Sequence, residues 1–268
     1  ATVYLIGSMH YADKSFYPLR QTIEDAFNRS EYLVVELDIN NIDHDLYMQI
    51  LSQDGVYRDD TTIKDVVSDE TWLQLRRHVQ RLNIDYETIK KYKPGLLVLT
   101  LTAAQITQMG FDAALGVDAY FLNRAAEKAR PKKIIALETL AQQLKLFLEM
   151  PDGELLLKES LRSLDEAEPL MLAMVDLWKR GDVKQMNQLL FEDALQEYPA
   201  FSEIYDSVFY RRNKAMRSKL VAMLKKKSAA SKSECRVHDF VVVGIEHLIG
   251  DKGIVNVLKE KGHKVQRF

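Results

Sequence analysis

Four short apolar runs rich in β-branched residues do most to limit what this chain can become: Thr2 to Ile6, Tyr32 to Val35, Lys133 to Leu137 and Phe240 to Val243. Each is too short for an ordinary helix and too continuously apolar for a strand with one face in water. Each therefore reads as a strand of a parallel sheet covered on both sides. Helical periodicity lies next to them. Leu19, Ile23, Ala26 and Phe27 recur at helical spacing after the first run. After the last, Gly253 to Leu258 reads as a helix closed by Gly262, with His263 to Val265 as a final edge strand. The expected fold is α/β, a mainly parallel central sheet with flanking helices and a large helical insertion.

The pattern places the α/β core in residues 1–150 and 234–268 and the insertion in 151–233. Within the core, Ser68-Asp69-Glu70-Thr71 opens a capped amphipathic helix carrying Trp72, Leu75, Val79 and Leu82, with His78 read onto its polar side. Leu96 to Thr107 forms another helix after Pro94. Gly153 to Lys227 shows almost no strand signal and reads as three helices, broken near Arg180-Gly181-Asp182 and Pro199. Lys225 to Ser233 reads as a polar, flexible connection back to the core.

Composition removes several function classes. The 268 residues are 47% hydrophobic and 28% charged, enough to bury a full core. Thirty-seven Lys and Arg against 39 Asp and Glu leave a net charge of -2, without the positive field of a non-specific nucleic-acid binder. One cysteine, Cys235, permits no internal disulfide and no cysteine-built zinc or iron–sulfur site, so any metal must sit on His, Asp and Glu. No membrane span is visible. A strand starting at residue 3, with no leader or initiator Met, suggests a trimmed signal, anchor or tag.

The strand endings carry the chemistry. The first run ends in Gly7-Ser8-Met9-His10, the second in Glu36, the third in Glu138-Thr139 and the fourth in Gly244-Ile245-Glu246-His247. Side chains just past the carboxyl ends of parallel strands project into the crevice where open α/β sheets bind ligands. His10, Glu36, Glu138 and His247 are thus expected to converge. Imidazole and carboxylate together suit a divalent ion such as manganese, cobalt or zinc. The glycine three residues before each histidine is expected to give the turn its backbone freedom. Other signals are weak. Ser8 lacks a nucleophile-elbow context, and there is no phosphate loop, dinucleotide fingerprint or His-Glu-x-x-His helix. His44, His238 and His263 read as surface residues.

At these residues the chain resembles the TraB/GumN family, within a superfamily of Tiki proteases, erythromycin esterases and haem-binding ChaN-like proteins. The likeness rests on Tyr4 to His10, Leu33 to Leu37, Gly116-Val117-Asp118, Leu137-Glu138-Thr139 with Gln143, Arg212-Asn213 and Val243 to Gly253. Ser8 stands where the family often has Thr, and Gln142 where an acid commonly precedes the Gln. The resemblance implies an active site of His10, Glu36 and His247, with Arg212 and Asn213 joining from the insertion and Glu138, Asp118 and Gln143 in support.

It further implies metal-dependent hydrolysis of a peptide amide or an ester. His10, His247 and a carboxylate would hold the ion, and Glu36 would be the third ligand or the general base. Arg212 or Asn213 would stabilise the oxyanion. Glu246 stands beside His247 as a further support. A metal-free route would use His10 as base and Glu36 to orient the water. The rival is a non-catalytic module that sequesters a peptide or haem in the same cleft. Many family members are exported, which points to the periplasm or cell exterior.

Overall fold

The computed structural model describes residues 2–127, 131–230 and 238–267. Strands β1 (Thr2–Ser8), β2 (Tyr32–Val35), β3 (Lys133–Ala136) and β4 (His238–Gly244) form one parallel sheet in the order β1-β4-β2-β3. The four apolar runs therefore pair as expected of an α/β fold. The two inner strands explain their composition: Leu33 to Val35 and Phe240 to Val243 are buried without a break, so both faces of the sheet are covered there. β3, at one edge, is only partly covered.

The chain divides into two compact units. The first, residues 1–41, 112–139 and 178–268, holds the whole sheet. Its helices include α1 (Gln21–Arg29), α2 (Val117–Ala125), α3 (Arg211–Ala230), α4 (Ile245–Leu248) and α5 (Ile254–Glu260). Phe27 of α1, Phe121 of α2 and Phe240 of β4 meet with ring centroids 4.7–5.4 Å apart, a distance at which aromatic pairs attract beyond their shared burial. This cluster fixes α1 and α2 against the sheet.

The second unit, residues 42–111 and 140–177, is helical among its described residues apart from one isolated bridge. Its helix Asp69–Arg81 begins where expected. Ser68 Oγ accepts the Thr71 N–H, and Glu154 accepts from the Ser68 N–H and from both hydroxyls. These bonds hold the Glu154 carboxyl down at about 2. Pro94 starts the helix Pro94–Gln108. His78 departs from the expected surface position and is 2% exposed, because it lies three residues after Leu75 on the buried face. Arg81 donates to its Nδ1 at 3.0 Å.

Other local expectations change too. After Gly181, whose φ of +68° ends a helix as expected, residues 183–210 form several short segments ahead of the long helix α3, rather than two helices broken only near Pro199. Two of them, Gln188–Glu192 and Asp206–Tyr210, are π-helical turns. The supposed flexible connection is helical through Ala230; its remainder and Cys235 lie outside the described residues. His263 to Val265 pairs with no strand among the described residues; the Arg267 side chain beyond it donates to the Gly181 carbonyl. His238 is half-buried, with its Nδ1 enclosed, rather than a surface group. No described helix is long and apolar enough to cross a membrane.

Candidate functional site

Register brings the two ends of the chain together. Gly7 lies opposite Val243 and Ser8 opposite Gly244, so both Gly-x-x-His segments leave the sheet side by side. β2 runs beside β4, and the ladder with β3 continues one step further: Leu137 N–H donates to Val35 O and Glu138 N–H to Glu36 O, both at 2.8 Å. Glu36 and Glu138 therefore emerge as neighbours. α3 adds Arg212 and Asn213 from the same compact unit, tied to the end of β3 by Lys219, which donates to the Leu137 carbonyl.

Glu36 is the centre of this cluster. Its Oε1 accepts the Gly244 N–H and its Oε2 accepts from Arg212 Nη2 at 2.6 Å. Arg212 also reaches Glu138, with Nε at 2.9 Å from Oε1 and Nη2 at 2.6 Å from Oε2. One guanidinium thus bridges two carboxylates whose side chains are only 5% and 9% exposed. His247 Nε2 stands 3.6 Å from Glu36 Oε2, while its Nδ1 donates to Asn213 Oδ1 at 2.5 Å. Burial opposes ionisation of Glu36. The hydrogen bond and charge of His247, with His10 and Arg212, outweigh it and hold the carboxyl well below the usual range.

His10 occupies a different setting. About half of its side chain is open to solvent, and its Nδ1 faces Asp118 Oδ2 at 3.0 Å. Burial of the ring pulls its titration down, but the Asp118 hydrogen bond and charge, with Glu36 and Glu246 behind, push it up to about 9. Nε2 turns the other way. A methyl at Gly244 would stand 3.3 Å from His10 Nε2, 3.2 Å from Glu36 Oε1 and 2.8 Å from Glu246 Oε2. These three atoms share one small space.

The glycines of the two motifs serve room rather than unusual dihedrals. Gly244 has φ of -49°, and Gly7 is not among the positive-φ glycines. At Gly7 a Cβ would meet the Ile245 side chain at 2.5 Å. Gly244→Ala is expected to cost about 1–3 kcal/mol of stability, as overpacking does, and thermal melts measure the loss.

The family profile of TraB/PrgY/gumN matches residues 1–267. The chain belongs to the TraB/PrgY/gumN family. It is similar to the uncharacterized protein YbaP of Escherichia coli strain K12 and to its Shigella flexneri counterpart. Each is 23% identical over 257 residues, covering 96% of this chain and 87% of the relative. No solved structure matches.

In this TraB/PrgY/gumN member the structure brings His10, Glu36, Asp118, Glu138, Arg212, Asn213, Glu246 and His247 into one unit, while Gln143 lies in the other. Arg212 clamps Glu36 to Glu138 and also donates to the Val208 carbonyl, and Asn213 holds His247 and donates to the Lys252 carbonyl.

The expected divalent ion would need three or more imidazole or carboxylate donors around one point. Among the described residues no three His, Cys, Asp or Glu side chains are grouped so as to hold a metal ion. Both Glu36 oxygens already face an N–H donor. The residues form a network of ion pairs and hydrogen bonds, not a ligand cage.

Proposed function

We propose that this protein is a hydrolase that cleaves a carboxylic amide or ester bond, in a peptide or a small substrate, with water activated by His10. The observation that carries the reading is the Asp118–His10 pair at the carboxyl edge of the sheet, its Nε2 sharing a space with Glu36 and Glu246. An imidazole whose Nδ1–H is held by a partly buried carboxylate keeps Nε2 as the proton acceptor and is stabilised once protonated.

In that role neutral His10 removes a proton from water as its oxygen attacks the substrate carbonyl. The same imidazolium then returns the proton to the leaving amine or alkoxide as the tetrahedral intermediate collapses, giving a carboxylic acid and the free amine or alcohol. Glu36 stays ionised throughout, fixed by Gly244 and Arg212, and orients the cluster. Its charge and those of Asp118 and Glu246 favour the imidazolium formed in the first step.

The test is turnover of a panel of p-nitrophenyl esters and fluorogenic peptide amides by the full chain. Hydrolysis unaffected by EDTA or phenanthroline is expected, because the chain's own residues move the proton. Activity lost to chelator and restored by manganese, cobalt or zinc would contradict the metal-free route. Peptide or haem binding with no turnover of any panel member would contradict hydrolysis altogether and favour sequestration.

A further inference from the structure

Ser8 sits inside the first Gly-x-x-His segment and has no part in the acid–base steps above. It ends β1 opposite Gly244 and is 1% exposed. Its hydroxyl bonds to Asp118 in both directions. Oγ donates to Asp118 Oδ1 at 3.0 Å and accepts the Asp118 backbone N–H at 3.2 Å. The other oxygen of that carboxylate, Oδ2, is the one that faces His10 Nδ1 at 3.0 Å. A buried hydroxyl whose proton and one lone pair both go to a single aspartate is placed to hold that aspartate. It is a clamp.

The clamp matters because of what it holds. Asp118 lies in the first turn of α2, 110 residues along the chain from Ser8. Gripping both its carboxylate and its backbone joins the end of β1 to the start of α2 and removes the freedom of the carboxylate to rotate. The adjoining backbone repeats the tie, since Val117 N–H donates to the Met9 carbonyl at 3.1 Å. His10, by contrast, is half open to solvent, so packing alone does not set its ring. The direction of Nε2 follows from where Asp118 Oδ2 is held.

We propose that Ser8 is a positioning residue, which fixes the imidazole of His10 by clamping Asp118 through side chain and main chain together. Its effect on rate rests on the hydrolase reading; its effect on ring orientation does not. A general base held in place contributes far more than one free to rotate, so loss of the clamp lowers kcat while substrate binding is kept.

Two measurements on the full-length protein separate these. With 15N-labelled histidine, the Nδ1–H of His10, assigned by its disappearance in His10→Ala, is expected to exchange slowly in the wild type and in Ser8→Thr. It is expected to broaden or vanish in Ser8→Ala and in Ser8→Cys, whose thiol is a weak donor of similar shape and serves should the alanine variant fail to fold. In kinetics, Ser8→Ala should lower kcat about 10-fold with KM within about 2-fold, and Ser8→Thr should recover the wild-type rate. A protected Nδ1–H together with undiminished kcat in Ser8→Ala would overturn the positioning role while leaving hydrolysis standing. A proton freed in Ser8→Ala, in a protein that hydrolyses nothing in the panel, would support positioning and contradict the hydrolase reading.

Discussion

Arg212→Met is expected to destabilise the protein by about 3–5 kcal/mol at pH 7, the scale for removing one partner of a buried ion pair. The reason is local. Glu36 and Glu138 are nearly enclosed, and the Arg212 guanidinium bonds to both at 2.6–2.9 Å. Methionine fills much the same space but leaves two adjacent carboxylates facing each other with less positive charge between them. Acid should relieve the defect. Glu36 is held below its ordinary range in the native protein, so its contribution to stability is present at neutral pH and lost as pH falls. The gap between wild type and Arg212→Met in urea denaturation should therefore hold from pH 7 to about pH 4.5 and narrow below it. The double variant Arg212→Met, Glu138→Gln should recover part of the loss, because one of the two opposed charges is gone. Equal stability of Arg212→Met and wild type at pH 7 would show that the carboxylates are not held as described.

Asp118→Asn tests the acid–base pair from the other side. It is expected to lower kcat/KM by about 10²–10⁴, since the amide neither stabilises the imidazolium nor holds the same tautomer. The pH profile should move as well. In the wild type His10 titrates at about 9, so its neutral form accumulates, and kcat/KM rises, as pH increases toward that value. Without the Asp118 charge the imidazole loses its proton more readily, and the rising limb shifts to lower pH. A profile unchanged in Asp118→Asn would remove His10 as the titrating group.

Much of the frame could be read from the residues because parallel pairing turns local pattern into long-range geometry. Runs such as Leu33-Val34-Val35 and Phe240 to Val243 are too continuously apolar for anything but inner strands. Once they pair, whatever follows each of them shares an edge. His10, Glu36, Glu138 and His247 became neighbours on that argument alone. Arg212, Asn213 and Asp118 lie on helices, where nothing in the local spacing says which strand end they will meet; only the likeness to a family singled them out.

Other features left a weaker trace. The two π-helical turns, Gln188–Glu192 and Asp206–Tyr210, have no sequence signature, because a single widened turn depends on packing rather than periodicity. His78 did leave one. Leu75, His78, Val79 and Leu82 fall at i, i+3, i+4 and i+7, a buried face with a histidine in it, and polarity alone misplaced that residue. His263-Lys264-Val265 offers a single apolar side chain, too little to hold an edge strand. Ser8 lacks a nucleophile-elbow motif, and its sequence neighbourhood does not show the aspartate it meets 110 residues away.

The most direct measurement is the ratio of kcat/KM for wild type to that for His10→Ala on whichever ester or peptide amide the wild type turns over. His10 is half exposed at the end of its strand, so the alanine variant should fold, as circular dichroism and melting will report. The account predicts a ratio of about 10³ or more, the scale of losing a positioned acid–base group. A ratio near one, in a variant that still folds, would contradict it.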